Sequence, residues 1–170
     1  RTWYVQFHQW SPESLKEPFS LGLECLDFAL IRKLSLKGYW NFYGKSLEEL
    51  SQTLRKFTSL ETLQLNLSDC EMIKDQAIAE LGLTLSELTS LLTFSLDLPI
   101  KPESGDIIAK VADSWKSLNN VAYLHLQFPT AVNTVNDESF QRLFSNISFL
   151  KSLKFLTLGF LQVKLLIDND

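Results

Sequence analysis

The chain has 170 residues, 45% of them hydrophobic and 21% charged, a composition suited to one soluble globular domain with a sizeable core. Its formal charge is -4 and its 16 Lys and Arg residues are scattered, which argues against a nucleic-acid or anionic-membrane surface and does not favour an acidic partner. Two cysteines outside any Cys-x-x-Cys pair (Cys25 and Cys70) argue against a disulfide framework or a zinc site, and no apolar run reaches the ~18 residues of a membrane span.

In chain order, Arg1-Thr2-Trp3-Tyr4 shows neither an initiator Met nor a signal-peptide pattern, so a portion of a longer, intracellular protein with two reduced thiols is expected. Thr2-Trp3-Tyr4-Val5-Gln6-Phe7 alternates polar and apolar, the period of a strand with one buried face. Ser11-Pro12-Glu13 starts a helix with Pro at its first position; Pro18 and Gly22 break it, leaving Leu23–Leu30 as a second helical piece or turn. A strand pattern returns at Ile31, Leu34 and Leu36. Leu47, Leu50, Leu54 and Phe57 then recur at helical spacing within Ser46–Phe57, started by a capping box of Ser46 and Glu49.

The alternation between the two periods continues. Strand-like Leu60, Leu63, Leu65 and Leu67 precede a helix over Asp75–Leu88 that places Ile78, Leu81, Leu85 and Leu88 on one face. Leu91, Phe94, Leu96 and Leu98 precede Ser104–Leu118, with Ile107, Ile108, Val111, Ala112 and Trp115. Val121, Leu124, Leu126 and Phe128 precede Asp137–Leu150, with Phe140, Leu143, Phe144 and Ile147; Leu153, Leu156, Leu158 and Phe160 follow. Asp75, Ser104 and Asp137 are the expected N-caps. The strand anchors Val5, Leu34, Leu63, Phe94, Leu124 and Leu156 are separated by 29, 29, 31, 30 and 32 residues. A unit of one strand and one helix cannot bury its own apolar strand face, so neighbouring units must stack. Helices are about 10 Å wide and strands under 5 Å apart, so the stack curves with the sheet inside. The expected fold is α/β: a single-domain solenoid over 1–170, about six units of 29–32 residues, with a parallel sheet on the concave side and helices on the convex side.

Leu60-x-x-Leu63-x-Leu65, with its counterparts starting at Leu91, Val121 and Leu153, resembles the core of the leucine-rich-repeat family, and specifically its ribonuclease-inhibitor-like class with long helical units. The resemblance covers residues 30–163 well and 1–29 loosely. It is similar to the divergent arrays of single-celled eukaryotes, where the strand carries a further alternating apolar residue, here Leu67, Leu98, Phe128 and Phe160. The family follows the strand with an Asn or Cys that ties neighbouring loops together. Only Cys70 matches, while Lys101, Ala131 and Val163 stand at the equivalent places, so a regular asparagine ladder is not expected.

With the anchors inward, their alternating neighbours face the concave surface in three rows. These are Tyr4, Lys33, Thr62, Thr93, Tyr123 and Phe155; then Gln6, Ser35, Gln64, Ser95, His125 and Thr157; then His8, Lys37, Asn66, Asp97, Gln127 and Gly159. Aromatic residues are favoured at binding hot spots, so Tyr4, Tyr123 and Phe155, with Lys33, are the expected anchors for a protein partner. A solvated sheet with the partner on helices or loops is the alternative. Trp3, Tyr4, Phe7, Trp10, Trp40, Phe42 and Tyr43 form a second aromatic group, either a cap closing the end of the stack or an exposed patch.

Chemistry has little to build on. His125 lies in register beside Asp97, but no motif supplies a nucleophile or an enclosed pocket. Asp69-Cys70-Glu71 and Asp168-Asn169-Asp170 lack the ligand spacing of a calcium loop, the six glycines form no phosphate loop, and Cys70 reads as a buried loop residue. No cofactor, metal or catalytic residue is expected. The expectation is a non-catalytic protein-binding module or scaffold. The resemblance also implies two alternatives: a recognition or regulatory subunit of an enzyme assembly such as a ubiquitin ligase or GTPase regulator, or a structural part of a cytoskeletal, ciliary or other large complex, in the cytoplasm in either case.

Overall fold

The computed structural model describes residues 3–10, 27–38, 44–70, 73–99, 107–128 and 137–160. Six strands, β1 (Trp3–Trp10), β2 (Ile31–Gly38), β3 (Thr62–Asn66), β4 (Thr93–Asp97), β5 (Tyr123–Phe128) and β6 (Phe155–Phe160), form one parallel sheet in sequence order. Four helices, α1 (Gly44–Leu54), α2 (Asp75–Glu87), α3 (Ile107–Ser114) and α4 (Asp137–Ile147), lie between consecutive strands from β2 onward. Short 3-10 turns occur at Phe28–Leu30 and Trp115–Ser117. The fold is α/β with a parallel sheet. Among the described residues, no helix is long and apolar enough to cross a membrane.

The register follows the apolar pattern. Val5 pairs with Leu34, Leu34 with Leu63, Leu63 with Phe94, Phe94 with Leu124, and Leu124 with Leu156. A slip of one residue would turn every Leu of a strand to the opposite face, so burial of one face specifies the pairing. From β2 to β5 the anchor residues and their i+2 neighbours are buried against Leu47, Leu50 and Leu54 of α1, Leu81 and Leu85 of α2, Val111 and Ala112 of α3 and Leu143 of α4. Each fully buried Leu of this set contributes roughly 1.5–3 kcal/mol relative to exposure.

Four successive helix-to-strand connections are built alike. Phe57 N–H donates to Leu54 and Leu60 N–H to Phe57; Leu88 to Leu85 and Leu91 to Leu88; Leu118 to Trp115 and Val121 to Leu118; Leu150 to Ile147 and Leu153 to Leu150. Three-residue spacing of apolar side chains thus continues past each helix and carries the chain back to the sheet. The entry to each strand repeats one bond to its predecessor: Glu61 N–H to Arg32 O, Leu92 to Glu61, Ala122 to Leu92 and Lys154 to Ala122, at 2.8–2.9 Å. Between α2 and α3, Gly82 lies so close that an added Cβ would stand 2.7 Å from Ser114 Oγ.

Several local expectations are corrected. Helix α1 begins at Gly44, placing Ser46 inside the helix rather than at its cap, and it stops at Leu54 with Phe57 in the following turn. Lys74, in extended conformation, is the N-cap of α2, and Asp75 is its first residue, where its charge still suits the positive end of the helix dipole. Helix α3 yields to the 3-10 turn at Trp115. Asp137 is the first residue of α4 rather than its cap, and that helix closes at Ile147. Of Leu23–Leu30, the described part is the 3-10 turn, with Asp27 accepting from Ala29 N at 3.1 Å. Ser104, Cys25, the helix begun at Ser11, Trp40, Phe42, Tyr43, Lys101, Ala131 and Val163 fall outside the described residues.

Two expected core residues are exposed, and Leu153 and Leu158 are only partly buried. Leu156 is 41% exposed and Phe144 50% exposed. Both belong to the last described strand–helix pair, which has a described neighbour on one side only.

Candidate functional site: the helix-free face of the sheet

Because strand side chains alternate, the residues between the buried anchors emerge on the face opposite the helices. From β2 to β6 none of them is buried: Lys33, Gln64, Tyr123, Phe155 and Thr157 are exposed, and Ser35, Lys37, Thr62, Asn66, Thr93, Ser95, Asp97, His125, Gln127 and Gly159 are half-buried. Each row runs straight across the strands. Tyr4, Lys33, Thr62, Thr93, Tyr123 and Phe155 are successive partners, as are Gln6, Ser35, Gln64, Ser95, His125 and Thr157. In the third row, Lys37, Asn66, Asp97, Gln127 and Gly159 pair in turn. Around His8 the pairing is irregular: three steps from Phe7 to Trp10 run beside two from Leu36 to Gly38, so Trp10 pairs with Gly38. A bulge of this kind cannot be read from an alternating pattern, because it changes register without changing composition.

At one end of the first row, the Tyr123 and Phe155 rings stack with centroids 4.9 Å apart and planes within 4°. They are 47% and 60% exposed. The spacing matches the 4.7–4.9 Å between neighbouring strands, so the rings stand side by side like their parent strands. Beside them is an open depression of about 320 Å³ lined by Gln64, Thr93, Phe94, Ser95, Tyr123, Leu124, His125, Phe155 and Thr157. Thr93 and Ser95 on β4 are short, whereas Tyr123 and His125 on β5 and Phe155 on β6 are large.

Charges on this face are few and partly paired. Lys37 Nζ lies 3.5 Å from Asp69 Oδ2, an exposed pair of little energetic weight. His125 Nε2 lies 3.7 Å from Asp97 Oδ1, within electrostatic range and beyond hydrogen-bond reach. Asp97 Oδ1 is itself buried with no hydrogen-bond donor. Burial raises the Asp97 carboxyl pKa above its ordinary value, partly offset by the neighbouring His125 and Lys37. Asn66 accepts from the Ser68 amide at 3.2 Å and hydroxyl at 2.7 Å, which ties the strand end to the following turn.

On the other side of the sheet, Cys70 is fully buried, and desolvation, with the adjacent Asp69, pushes its thiol from an ordinary 9.0 up to about 12. That is an inert thiol, since thiolate is the reactive form. Among the described residues no group of three His, Cys, Asp or Glu side chains is placed to hold a metal ion. The helix side carries its own polar cluster, with Arg142 Nη2 donating to Asp113 Oδ2 at 2.5 Å and buried Asn146 donating to Asp113 Oδ1 at 2.8 Å. It joins α3 to α4. The residues of the aromatic group at β1 have a described backbone only through Trp3, Tyr4, Phe7 and Trp10.

Sequence reasoning placed Tyr123 and Phe155 in one row but missed that they form a unit with the short side chains beside them. The available signal was the Thr93–Tyr123–Phe155 order, small next to large, along a row of fixed spacing. No protein-family model matches this chain, and a search of curated proteins finds no match.

Proposed function

We propose that the chain is a segment of a leucine-rich-repeat solenoid of the ribonuclease-inhibitor-like class. On this reading it is a non-catalytic module that binds a protein partner through the helix-free face of its sheet. The solenoid reading is supported by six anchors paired in line and by connections that reuse the same hydrogen bonds. Stacked units of this kind curve with the narrower sheet inside, making the helix-free face concave.

The observation that carries the binding role is the exposed, stacked Tyr123–Phe155 pair on a sheet face with straight rows of polar side chains around it. Solvent-exposed aromatics held rigidly by a sheet are the residues from which protein interfaces draw most of their energy. Hydroxyl and amide neighbours supply hydrogen bonds that fix orientation without the desolvation cost of ionised groups.

The test is to identify a partner by co-purification and mass spectrometry, then to measure its affinity for Lys33→Glu, Lys37→Glu and Tyr123→Ala variants. Tyr123→Ala is expected to weaken binding by about 2 kcal/mol, or roughly thirtyfold. Unchanged binding by all three variants removes this face as the interface.

A further inference from the structure

Among the described residues, β6 has no strand along its outer edge, and the strands before it define what fits there. Each strand enters by donating to the residue just before the first row of its predecessor. Glu61 N–H donates to Arg32 O, those of Leu92 and Thr93 to Glu61 O, those of Ala122 and Tyr123 to Leu92 O, and those of Lys154 and Phe155 to Ala122 O. The carbonyl of Lys154 is the next in that series. All five pairings are parallel and join anchor to anchor. A strand added in the same way sets one apolar residue beside Leu156 and another beside Leu158. Leu156 is 41% exposed and Leu158 only partly buried, whereas their counterparts Leu124 and Leu126 on the flanked β5 are buried. Covering them removes apolar surface from water.

The helix layer says that a strand fits better than a further strand–helix pair. The turns that leave the four helices share their hydrogen bonds, which places Leu54, Leu85, Trp115 and Ile147 alike. Three residues before them stand Ser51, Gly82, Ala112 and Phe144. The first three are small and buried, and Gly82 meets Val111 and Ser114 of α3, so helices approach closely at this place. On α4 the place holds a half-exposed phenylalanine ring, and a helix set there at the same spacing would collide with it.

Charge narrows the choice further. The residues just before the first row are Arg32, Glu61, Leu92, Ala122 and Lys154 on successive strands, and Arg32 and Glu61 form an ion pair from one strand to the next. Lys154 is exposed and has no ion pair among the described residues. An acidic residue on the added strand repeats the Arg32–Glu61 arrangement. A second copy of the chain does not supply one, because its own edge strands carry Trp3 and Lys154 at this place.

We infer that β6 is a docking edge for an extended segment of a protein partner, which adds as a further parallel strand. The segment carries an acidic residue beside Lys154 and apolar residues two and four places later, beside Leu156 and Leu158. Main-chain hydrogen bonds supply affinity, and the charge and alternating side chains supply selection. This edge is separate from the helix-free face.

The experiment titrates the chain, observed by NMR, with acetyl-Glu-Thr-Leu-Gln-Leu-Asn-Leu-amide, the sequence of Glu61–Leu67. Three further peptides run in parallel: one with Lys in place of Glu, one with Ser in place of the first two Leu, and one in reversed order. The Glu peptide is expected to give saturable shifts at Lys154, Leu156 and Leu158, with an affinity about fivefold above the Lys peptide. The Ser peptide is expected not to bind. Lys154→Glu, at an exposed position, is expected to invert the preference between the Glu and Lys peptides, and unchanged shifts of core residues check its fold. Equal affinity of those two peptides, a preference that Lys154→Glu leaves unmoved, binding of the reversed peptide as tight or tighter, shifts confined to other strands, or no response overturns the inference. Concentration-dependent shifts along β6 in the chain alone overturn it in favour of a second copy. None of these outcomes depends on Tyr123→Ala in the partner assay, so the two readings fail separately.

Discussion

Phe94 and Phe155 are the same residue type on two strands of one sheet, and they meet opposite fates. Phe94 is fully buried, its ring packed edge-on to Trp115 at 5.9 Å; Phe155 is 60% exposed and lies flat against Tyr123. Phe94 is an anchor paired with Leu63 and Leu124, whereas Phe155 is one position before the anchor Leu156. Parity along the strand, not hydrophobicity, decides which aromatic builds the core and which is left exposed.

The sharpest way to break this contrast is to truncate both rings. Phe94→Ala is expected to cost about 3–5 kcal/mol in urea unfolding through the cavity it leaves, and Phe155→Ala under about 1 kcal/mol. Equal costs would mean that the two faces are not distinct. Next comes the reactivity of Cys70 on the core side, measured in a Cys25→Ser background. A thiol raised from 9.0 to about 12 holds roughly a thousandfold less thiolate at pH 8, so native-state alkylation should be slower by at least that factor and recover its ordinary rate in denaturant. Rapid labelling of the folded chain would contradict the burial of the loop after β3.

Two carboxylates extend the comparison to pH. Burial acts to raise Asp113, but hydrogen bonds from Asn146 and Arg142 and the charges of Arg142 and Lys116 outweigh it and hold the carboxyl below its ordinary 3.8. Its stabilisation is therefore present above the unfolded value and lost as pH falls through the lower folded value. Asp113→Ala should cost about 1 kcal/mol at pH 7, mainly by leaving the buried Asn146 amide without its acceptor. The difference from wild type should shrink in acid. Asp97 behaves in the opposite sense. Its raised pKa means that stability present below the unfolded value is lost as pH rises through the folded one, so at neutral pH the charged form is a burden. Asp97→Asn should give a small gain in thermal stability at pH 7 and none near pH 3, the smallest effect of the series. A loss at pH 7 would show that the carboxylate already has a partner in the free protein.

The rows of the candidate face were legible because strand alternation is strict: once Leu63 and Leu65 are inward, Thr62, Gln64 and Asn66 have no choice. Helix limits were less legible. Ser46, Asp75 and Asp137 are good capping types, yet the helices start at Gly44, Asp75 and Asp137 themselves, because the packing of apolar faces outweighs a cap worth about 1 kcal/mol. The register around His8 was not legible for a different reason: the irregular pairing of β1 with β2 changes the count without altering the alternation.

Composition and periodicity by themselves determined the parallel α/β class, the order of elements and the inward set of Leu, Ile and Phe, since burial of apolar side chains with periods of two and 3.6 leaves few arrangements. Tertiary structure decided what depends on distances between strands. The Tyr123–Phe155 stack, the depression that the short Thr93 and Ser95 leave beside it, the donorless oxygen of Asp97 and the exposure of Leu156 at the end of the sheet all arise from side chains about thirty residues apart in the chain. Periodicity assigns a residue to a face; only the packed neighbours determine how much room, and which unsatisfied groups, that face offers.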